Sequence, residues 1–176
     1  MKSLLLTVLL LGLVAVLKAQ EDLPDDKEDL SGTWYMKGMV HNGTLPKNKL
    51  PERVFPVTIT ALEEGNLEVK IIKWKKGQCH EFKFKMEKTE EPNKYITFHG
   101  KRHVYIEKLN TKDHYIFYCE GHYKGKHFGM GKVMGRTSEE SPEAMEEFKE
   151  FVKRKKIPQE NIFVPEMREE CEPESD

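Results

Sequence analysis

The sequence predicts an all-β domain of eight short antiparallel strands in up-and-down order, followed by one C-terminal α-helix. Three observations predict this fold: apolar and polar side chains alternate in short segments between residues 32 and 136, turn-forming residues separate those segments, and the spacing becomes helical after residue 136. Eight strands are too many for one flat sheet of this length, so the pattern favours a barrel or a sandwich. No repeat or flexible linker divides residues 20–176, which we treat as one domain.

The strands follow one another at short intervals. They are predicted at 33–40, 57–62, 67–74, 80–88, 95–98, 103–109, 114–120 and 128–135. The clearest is the fourth, where Phe82, Phe84 and Met86 alternate with charged residues, which is the two-residue period of a strand with one dry face. Turns at Gly65-Asn66 and Lys76-Gly77 separate the strands on either side of 67–74.

The last predicted element is an amphipathic helix that begins after Ser141. Ser141 suits the N-cap, and Pro142 suits the first helical position. Apolar residues then recur at helical spacing along one stripe: Ala144, Met145, Phe148, Phe151 and Val152. The basic run 153–156 and Pro158 end the helix, and we expect residues 169–176 to form a mobile acidic tail held only by Cys171.

Residues 1–19 are expected to be a signal peptide rather than part of the fold. Met1-Lys2 precedes an apolar run that ends at Leu17, and Ala19 is a small residue suited to cleavage. The run is shorter than the about 20 residues of a membrane span, so we expect a soluble, secreted protein without a membrane span. Cleavage removes two lysines and lowers the net charge from −1 to −3, which argues against a nucleic-acid partner.

Three cysteines in an oxidising compartment leave one thiol unpaired, and the count alone permits three pairings. Cys171 lies in the polar tail and Cys79 follows a turn, so each is where the other could reach it. Cys119 lies in an apolar strand, which suits a buried free thiol. We therefore predict the disulfide Cys79–Cys171. Separately, Asn42-Gly43-Thr44 is a glycosylation sequon in a predicted loop, with Asn42 as the acceptor.

Three local motifs resemble those of the lipocalin family. Gly32-Thr33-Trp34-Tyr35 is similar to the first family motif, Thr111-Lys112-Asp113-His114-Tyr115 to the second with His114 inserted, and Gly135-Arg136 to the third. The resemblance covers the mature chain and is strongest to the tear, vomeronasal and nasal secretory branch. It implies an eight-stranded antiparallel up-and-down β-barrel with the C-terminal α-helix packed on the outside. It also implies the Cys79–Cys171 bridge and a barrel floor made by Gly32, Trp34 and Arg136.

In such a barrel, the dry face of the sheet encloses room for one small apolar ligand. The expected ligand-binding residues are Met36, Val57, Ile59, Leu67, Val69, Ile71, Phe82, Phe84, Met86, Val104, Ile106, Phe117, Met130 and Lys132. Lys132 is the polar exception. The resemblance matches it to a pocket lysine, and a ligand carboxylate or carbonyl would relieve an unpaired ammonium there. The alternative is that Lys132 extends to the cavity mouth.

The resemblance implies a secreted carrier of odorants, pheromones, fatty acids or similar lipids. A cell-surface receptor is a further expected partner, and the expected state is a monomer or a weak dimer. Two other functions stay open, an inhibitor of cysteine proteases and a cavity-thiol isomerase. Residues 25–32 match the inhibitory segment of related lipocalins poorly. The isomerase cysteine lies on an early strand where this chain has none, which leaves Cys119 as the candidate nucleophile.

We expect no catalytic residue, no cofactor and no metal site. The seven histidines lack the spacing of metal ligands on a helix, which favours scattered surface roles. They are His41, His80, His99, His103, His114, His122 and His127. No Gly-x-Ser-x-Gly nucleophile motif is present in the sequence.

Overall fold

The computed structural model describes residues 29–174, and residues from Ser31 onward form one compact unit. The expected signal peptide lies outside the described residues. The strands are β1 (Gly32–His41), β2 (Arg53–Val54), β3 (Val57–Ala61), β4 (Leu67–Lys75), β5 (Gln78–Lys88), β6 (Lys94–Thr97), β7 (Arg102–Lys108), β8 (His114–Tyr123), β9 (Lys126–Gly135), β10 (Ile162–Phe163) and β11 (Glu166–Met167). One α-helix, α1 (Pro142–Arg154), lies between β9 and β10.

Eight of these strands close into a barrel, as predicted. Each of β3 to β9 pairs antiparallel with its neighbour in chain order, and β1 pairs with both β3 and β9. The β1–β9 ladder runs from Tyr35 opposite Gly135 to His41 opposite Met130. It carries an irregularity between Met36 and Gly38 that shifts the alternation of side chains along β1. Because β1 has partners on both edges, the barrel has no free edge there.

Three two-residue strands were not predicted. β10 pairs antiparallel with β1, and β11 pairs parallel with β2. Two residues carry no readable period, so sequence alone offers no signal for them. Together they hold the segment after α1 against the outside of the barrel and the loop after β1.

The helix confirms the prediction in both position and cap. The Ser141 side-chain oxygen accepts a hydrogen bond from the backbone N–H of Ala144 at 3.2 Å, and Pro142 is the first helical residue. The helix packs on the outside of the barrel in one core cluster with strand residues. That cluster contains Ala144, Phe148, Phe151 and Val152 of α1, with Val40, Ile116, Tyr118 and Val133 of the barrel. A Cβ at Gly131 would lie 3.1 Å from Val40 Cγ1, so glycine keeps this contact close.

The predicted disulfide Cys79–Cys171 is present, and Cys119 is a free thiol that is half-buried rather than buried. The expectation that Cys171 alone holds the tail is wrong. The Glu174 N–H donates to the Gly77 carbonyl at 2.8 Å, and the preceding segment pairs through β11. The tail is therefore attached at the β4–β5 turn by a covalent bond and a backbone hydrogen bond.

Candidate ligand-binding cavity

The register of the ladders separates an inner face of the barrel from an outer one. Residues directly opposite each other in an antiparallel pair share a face. Val133 and Ile116 are opposite each other and belong to the cluster under α1, so their face is the outer one. The adjacent pair, Phe117 and Lys132, therefore points into the barrel.

Following the register around the barrel places all the expected ligand-binding residues on the inner face. Across β7 and β8, Val104 is opposite Cys119 and Ile106 is opposite Phe117. The inner-face pairs continue through β3, β4 and β5. The side chains differ in depth. The buried ones are Met36, Ile59, Leu67, Val69, Met86, Val104 and Ile106. The half-buried ones are Val57, Ile71, Phe84, Phe117, Met130 and Lys132.

Exposure along β5 identifies the open end of the barrel. On the inner row of this strand, Met86 is 3% exposed, Phe84 is half-buried and Phe82 is 44% exposed. Phe82 therefore lies at the open rim, not in the interior as expected. Its position beside the β4–β5 turn explains the difference, because no further barrel layer covers it there.

The middle of the barrel is not filled by its own side chains. Phe117, Cys119 and Lys132 lie on the inner face of central strands and are covered laterally by neighbouring strands, yet each keeps accessible surface. That surface faces the barrel axis, so side chains do not fill the interior completely. Hydrocarbon and phenyl groups line most of it, which is the composition typical of a pocket for an apolar ligand.

The opposite end of the barrel is closed by Trp34. Its ring is fully buried, and the ring centroids of Tyr115 and Phe117 lie 5.1 and 6.1 Å from its own, both edge-on. The Arg136 guanidinium lies 3.8 Å from the Trp34 ring centroid and donates to the Ser31 carbonyl at 2.7 Å. Gly32 has φ 113°, and a Cβ there would lie 2.8 Å from Arg136 Nη1. These contacts make a packed floor, so a ligand enters from the other end.

Sequence reasoning missed several inner-face residues. They include Met39, Tyr95, Arg102, Tyr115 and Cys119. Strand alternation could have found Cys119, which shares a row with Phe117. Met39 follows the irregularity in β1, which reverses the expected parity, and Arg102 precedes the predicted start of its strand. Only the structure could place Met39 and Arg102 on the inner face.

The interior holds a cation and a thiol close enough to interact. Burial lowers the pKa of Lys132, Cys119 opposes this change, and repulsion from Lys73 and Arg102 lowers the pKa further. Burial also raises the pKa of the Cys119 thiol, although Lys132 and Arg102 favour its thiolate. A thiol with a raised pKa is a weak nucleophile, so the arrangement favours ligand binding over covalent chemistry.

The sequon lies beside the open end of the barrel. Asn42 is half-buried, its side-chain amide donates to the His127 carbonyl at 3.3 Å, and Thr44 Oγ1 donates to the same carbonyl at 2.8 Å. Glycosylation of Asn42 stays a prediction. Among residues 29–174, no three His, Cys, Asp or Glu side chains are grouped to hold a metal ion. Within the same range, no helix is long and apolar enough to cross a membrane.

A closed antiparallel barrel with a hollow apolar interior, one packed end and one open end defines a small-molecule-binding barrel protein. Residues 31–169 match the family model described as the lipocalin / cytosolic fatty-acid binding protein family. The chain belongs to the lipocalin family, in which non-enzymatic binding proteins are the general rule.

Several relatives match nearly the whole chain. It is 62% identical to odorant-binding protein 2a of Mus musculus, covering 97% of this chain and 98% of that one. It is 42% identical to lipocalin-1 of Sus scrofa, covering 98% of each, and 40% identical to von Ebner gland protein 1 of Rattus norvegicus, covering 97% of each. These relatives and the family support a carrier of a small hydrophobic ligand, and they lend no support to the protease-inhibitor or isomerase alternatives.

A solved structure shares the fold. The structure titled "The Siderocalin Ex-FABP functions through dual ligand specificities" aligns with a TM-score of 0.68 at 21% identity, covering 80% of this chain and 96% of that one. At this identity the likeness concerns the fold alone.

Proposed function

We propose that this protein is a secreted carrier that holds odorants, pheromones, fatty acids or similar lipids inside the barrel. The observation that carries the proposal is the hollow inner face, apolar almost throughout and sealed at one end by Trp34. The similarity to a protein named for odorant binding supports the choice of ligand class. The disulfide and the secreted lipocalin relatives support an extracellular location.

The expected affinity follows from the area that a ligand buries. A ligand that buries roughly 300 Å² of apolar surface gains about 7 kcal/mol before the cost of immobilisation is subtracted. Binding in the low-micromolar range with broad tolerance of shape is the expected result. Apolar side chains make most of the inner face, so we expect the site to discriminate only weakly among hydrocarbons of different shape.

Lys132 supplies the polar preference within this carrier. It lies opposite Phe117 on the inner face, in a barrel interior lined mostly by apolar side chains. A ligand carboxylate or carbonyl placed against it relieves part of the cost of keeping a charge there. The preferred ligands are therefore chains that end in one of these groups.

A displacement assay with a fluorescent fatty acid tests the proposal. We expect Lys132→Met to weaken binding of a fatty acid about tenfold, because one charged hydrogen bond is lost, and to leave the matching alcohol nearly unchanged. Lys70→Met is the control, because Lys70 lies on the outer row of β4. Equal losses for acid and alcohol would show that Lys132 is not a ligand group. Failure of every apolar compound to displace the probe would contradict the carrier function.

Four further properties belong to the same proposal: cleavage after residue 19, a sugar on Asn42, recognition by a cell-surface receptor, and a monomeric or weakly dimeric state. Mass spectrometry of the protein secreted from animal cells tests the first two. The same experiment, run on the native protein, identifies any organic molecule that co-purifies in the barrel. A mature N-terminus upstream of residue 19 or an unmodified Asn42 would contradict the corresponding expectation.

A further inference from the structure

The inner rows carry other cations besides Lys132, and two of them lie beside the expected ligand-binding residues. Lys73 is in the inner row of β4, two positions beyond Ile71, and Arg102 is in the inner row of β7, two positions before Val104. Both lie toward the open end of the barrel, where β4 ends and β7 begins. Lys73 is exposed and Arg102 is half-buried, so both reach the mouth of the cavity.

The inner face of the eight barrel strands carries no acidic residue to neutralise these cations. Every strand glutamate of the barrel belongs to the outer rows: Glu68, Glu81, Glu87, Glu107 and Glu120. Among the described residues, Lys73, Arg102 and Lys132 form no ion pair. The cavity is therefore positive although the whole chain has a net charge of −1.

Aromatic rings hold the two rim cations in place. Lys73 Nζ lies 5.0 Å from the Phe82 ring centroid, and the Arg102 guanidinium lies 5.0 Å from those of both Phe98 and Phe128. Contact with a ring face stabilises a cation without neutralising its charge. It also limits the side-chain freedom that a bound anion would otherwise have to restrict.

The three cations also repel one another. Burial lowers the pKa of Lys73, and Lys75, Arg102 and Lys49 lower it further. Lys132 feels both Lys73 and Arg102. A negatively charged ligand close to Lys73, Arg102 and Lys132 would relieve the repulsion among these three groups. A second negative charge would therefore add affinity beyond that of a single carboxylate.

We propose that Lys73 and Arg102 at the mouth, with Lys132 deeper on the inner face, form an anion site that selects amphiphiles with a phosphate monoester head, bound with the hydrocarbon tail toward Trp34. This inference rests on the proposed carrier function and names a ligand class for it. A phosphate monoester carries about −1.5 to −2 charge at pH 7 and offers three acceptor oxygens. The Arg102 guanidinium can donate two parallel hydrogen bonds to such a group, while each lysine acts as a point charge.

The test is a matched series of decanol, decanoic acid and decyl phosphate, each competing with a neutral fluorescent probe below its micelle concentration. For the wild-type protein we expect affinity to rise in that order, by about tenfold at each step. Arg102→Gln and Lys73→Gln should each reduce the advantage of phosphate over carboxylate several-fold and leave decanol unchanged. Lys70→Gln, on the outer row of the same strand as Lys73, should change none of the three. Raising the salt concentration should reduce the phosphate advantage, because the mouth is open to solvent.

The outcomes separate the two proposals. If decyl phosphate binds no better than decanoic acid, or if Lys70→Gln acts as strongly as Arg102→Gln, the anion site is wrong, while decanol binding still supports the carrier. If none of the three compounds displaces the probe, the carrier function itself fails. Unchanged decanol affinity in each variant also shows that the barrel has folded.

Discussion

At the scale of single residues, one ammonium in a largely hydrocarbon interior is the most unusual feature of this barrel. Lys132 is half-buried and its neighbours across the ladder are Phe117 and Met39. Burial disfavours its charged form and lowers its pKa. A lysine kept at such a cost is more readily explained by a ligand than by stability, because methionine would fill the same space without the charge.

This cost predicts a stability change that depends on pH. Between its lowered folded pKa and the unfolded value near 10.5, Lys132 binds more protons in the unfolded chain, so stability rises with pH through that interval. Without ligand, Lys132→Met should raise the free energy of unfolding by about 1–3 kcal/mol at pH 7, and by less as the pH approaches 10.5. Urea denaturation at several pH values measures this, with Lys70→Met as the control. A gain that is the same at every pH would contradict the assignment.

At the scale of elements, α1 seals the outside of the barrel while the strands build the inside. The same strands serve both, since Val133 faces the helix and Lys132 faces the cavity. Phe148 and Val152 are fully buried against this outer face. The helix therefore stiffens the strands that carry Lys132 without itself contacting a ligand.

A substitution at the N-cap of α1 tests whether the helix contributes to stability but not to ligand binding. Ser141→Ala removes the acceptor for the Ala144 N–H and should cost about 1 kcal/mol of stability. Ligand affinity should stay the same, because the cap lies outside the barrel. Thermal unfolding and probe binding check both points, and Ser138→Ala, at an exposed position before the helix, is the matched control. A large loss of affinity at unchanged stability would mean that the helix end contributes to the site.

At the scale of the whole molecule, the disulfide joins the C-terminal segment to the β4–β5 hairpin beside the open end. The two cysteines are 92 residues apart in sequence, so the bridge closes a long loop of the unfolded chain. The β2–β11 pair and the hydrogen bond from the Glu174 N–H to the Gly77 carbonyl hold the same segment. The bridge therefore connects the last described residues to a part of the barrel far away in the chain.

Removing the bridge should destabilise the protein without destroying the barrel. We expect Cys79→Ser combined with Cys171→Ser to lose about 2–4 kcal/mol of unfolding free energy. Hydrogen exchange should rise first in residues 162–174, because two-residue strands, one backbone hydrogen bond near the end and side-chain contacts such as Arg53–Glu166 then hold them. Cys119→Ser is the control, since Cys119 is the free thiol. Equal protection of residues 162–174 with and without the bridge would show that the noncovalent contacts suffice.

Much of this architecture could be predicted from local patterns. The eight barrel strands and the helix with its Ser141 cap have short-range signatures in composition and period. The Cys79–Cys171 bridge followed from the positions of the cysteines, and the floor around Trp34 from the resemblance to the family. The inner row of each long strand followed from the two-residue alternation alone. Failures occurred where that period breaks or is too short to detect, as at Met39 after the irregularity in β1 and in the two-residue strands.

The sequence by itself determined which side chains share a face wherever a strand is regular, because alternation there depends only on the backbone geometry of a single strand. Tertiary structure alone decided how deep each of them lies and which ones meet across the barrel. Phe82 at the rim and the positive cluster of Lys73, Arg102 and Lys132 illustrate this, since their three strands are far apart in the chain. How deep a side chain lies, and which side chains meet across the barrel, depend on the stagger between strands. That stagger is a property of the closed sheet and not of any single strand.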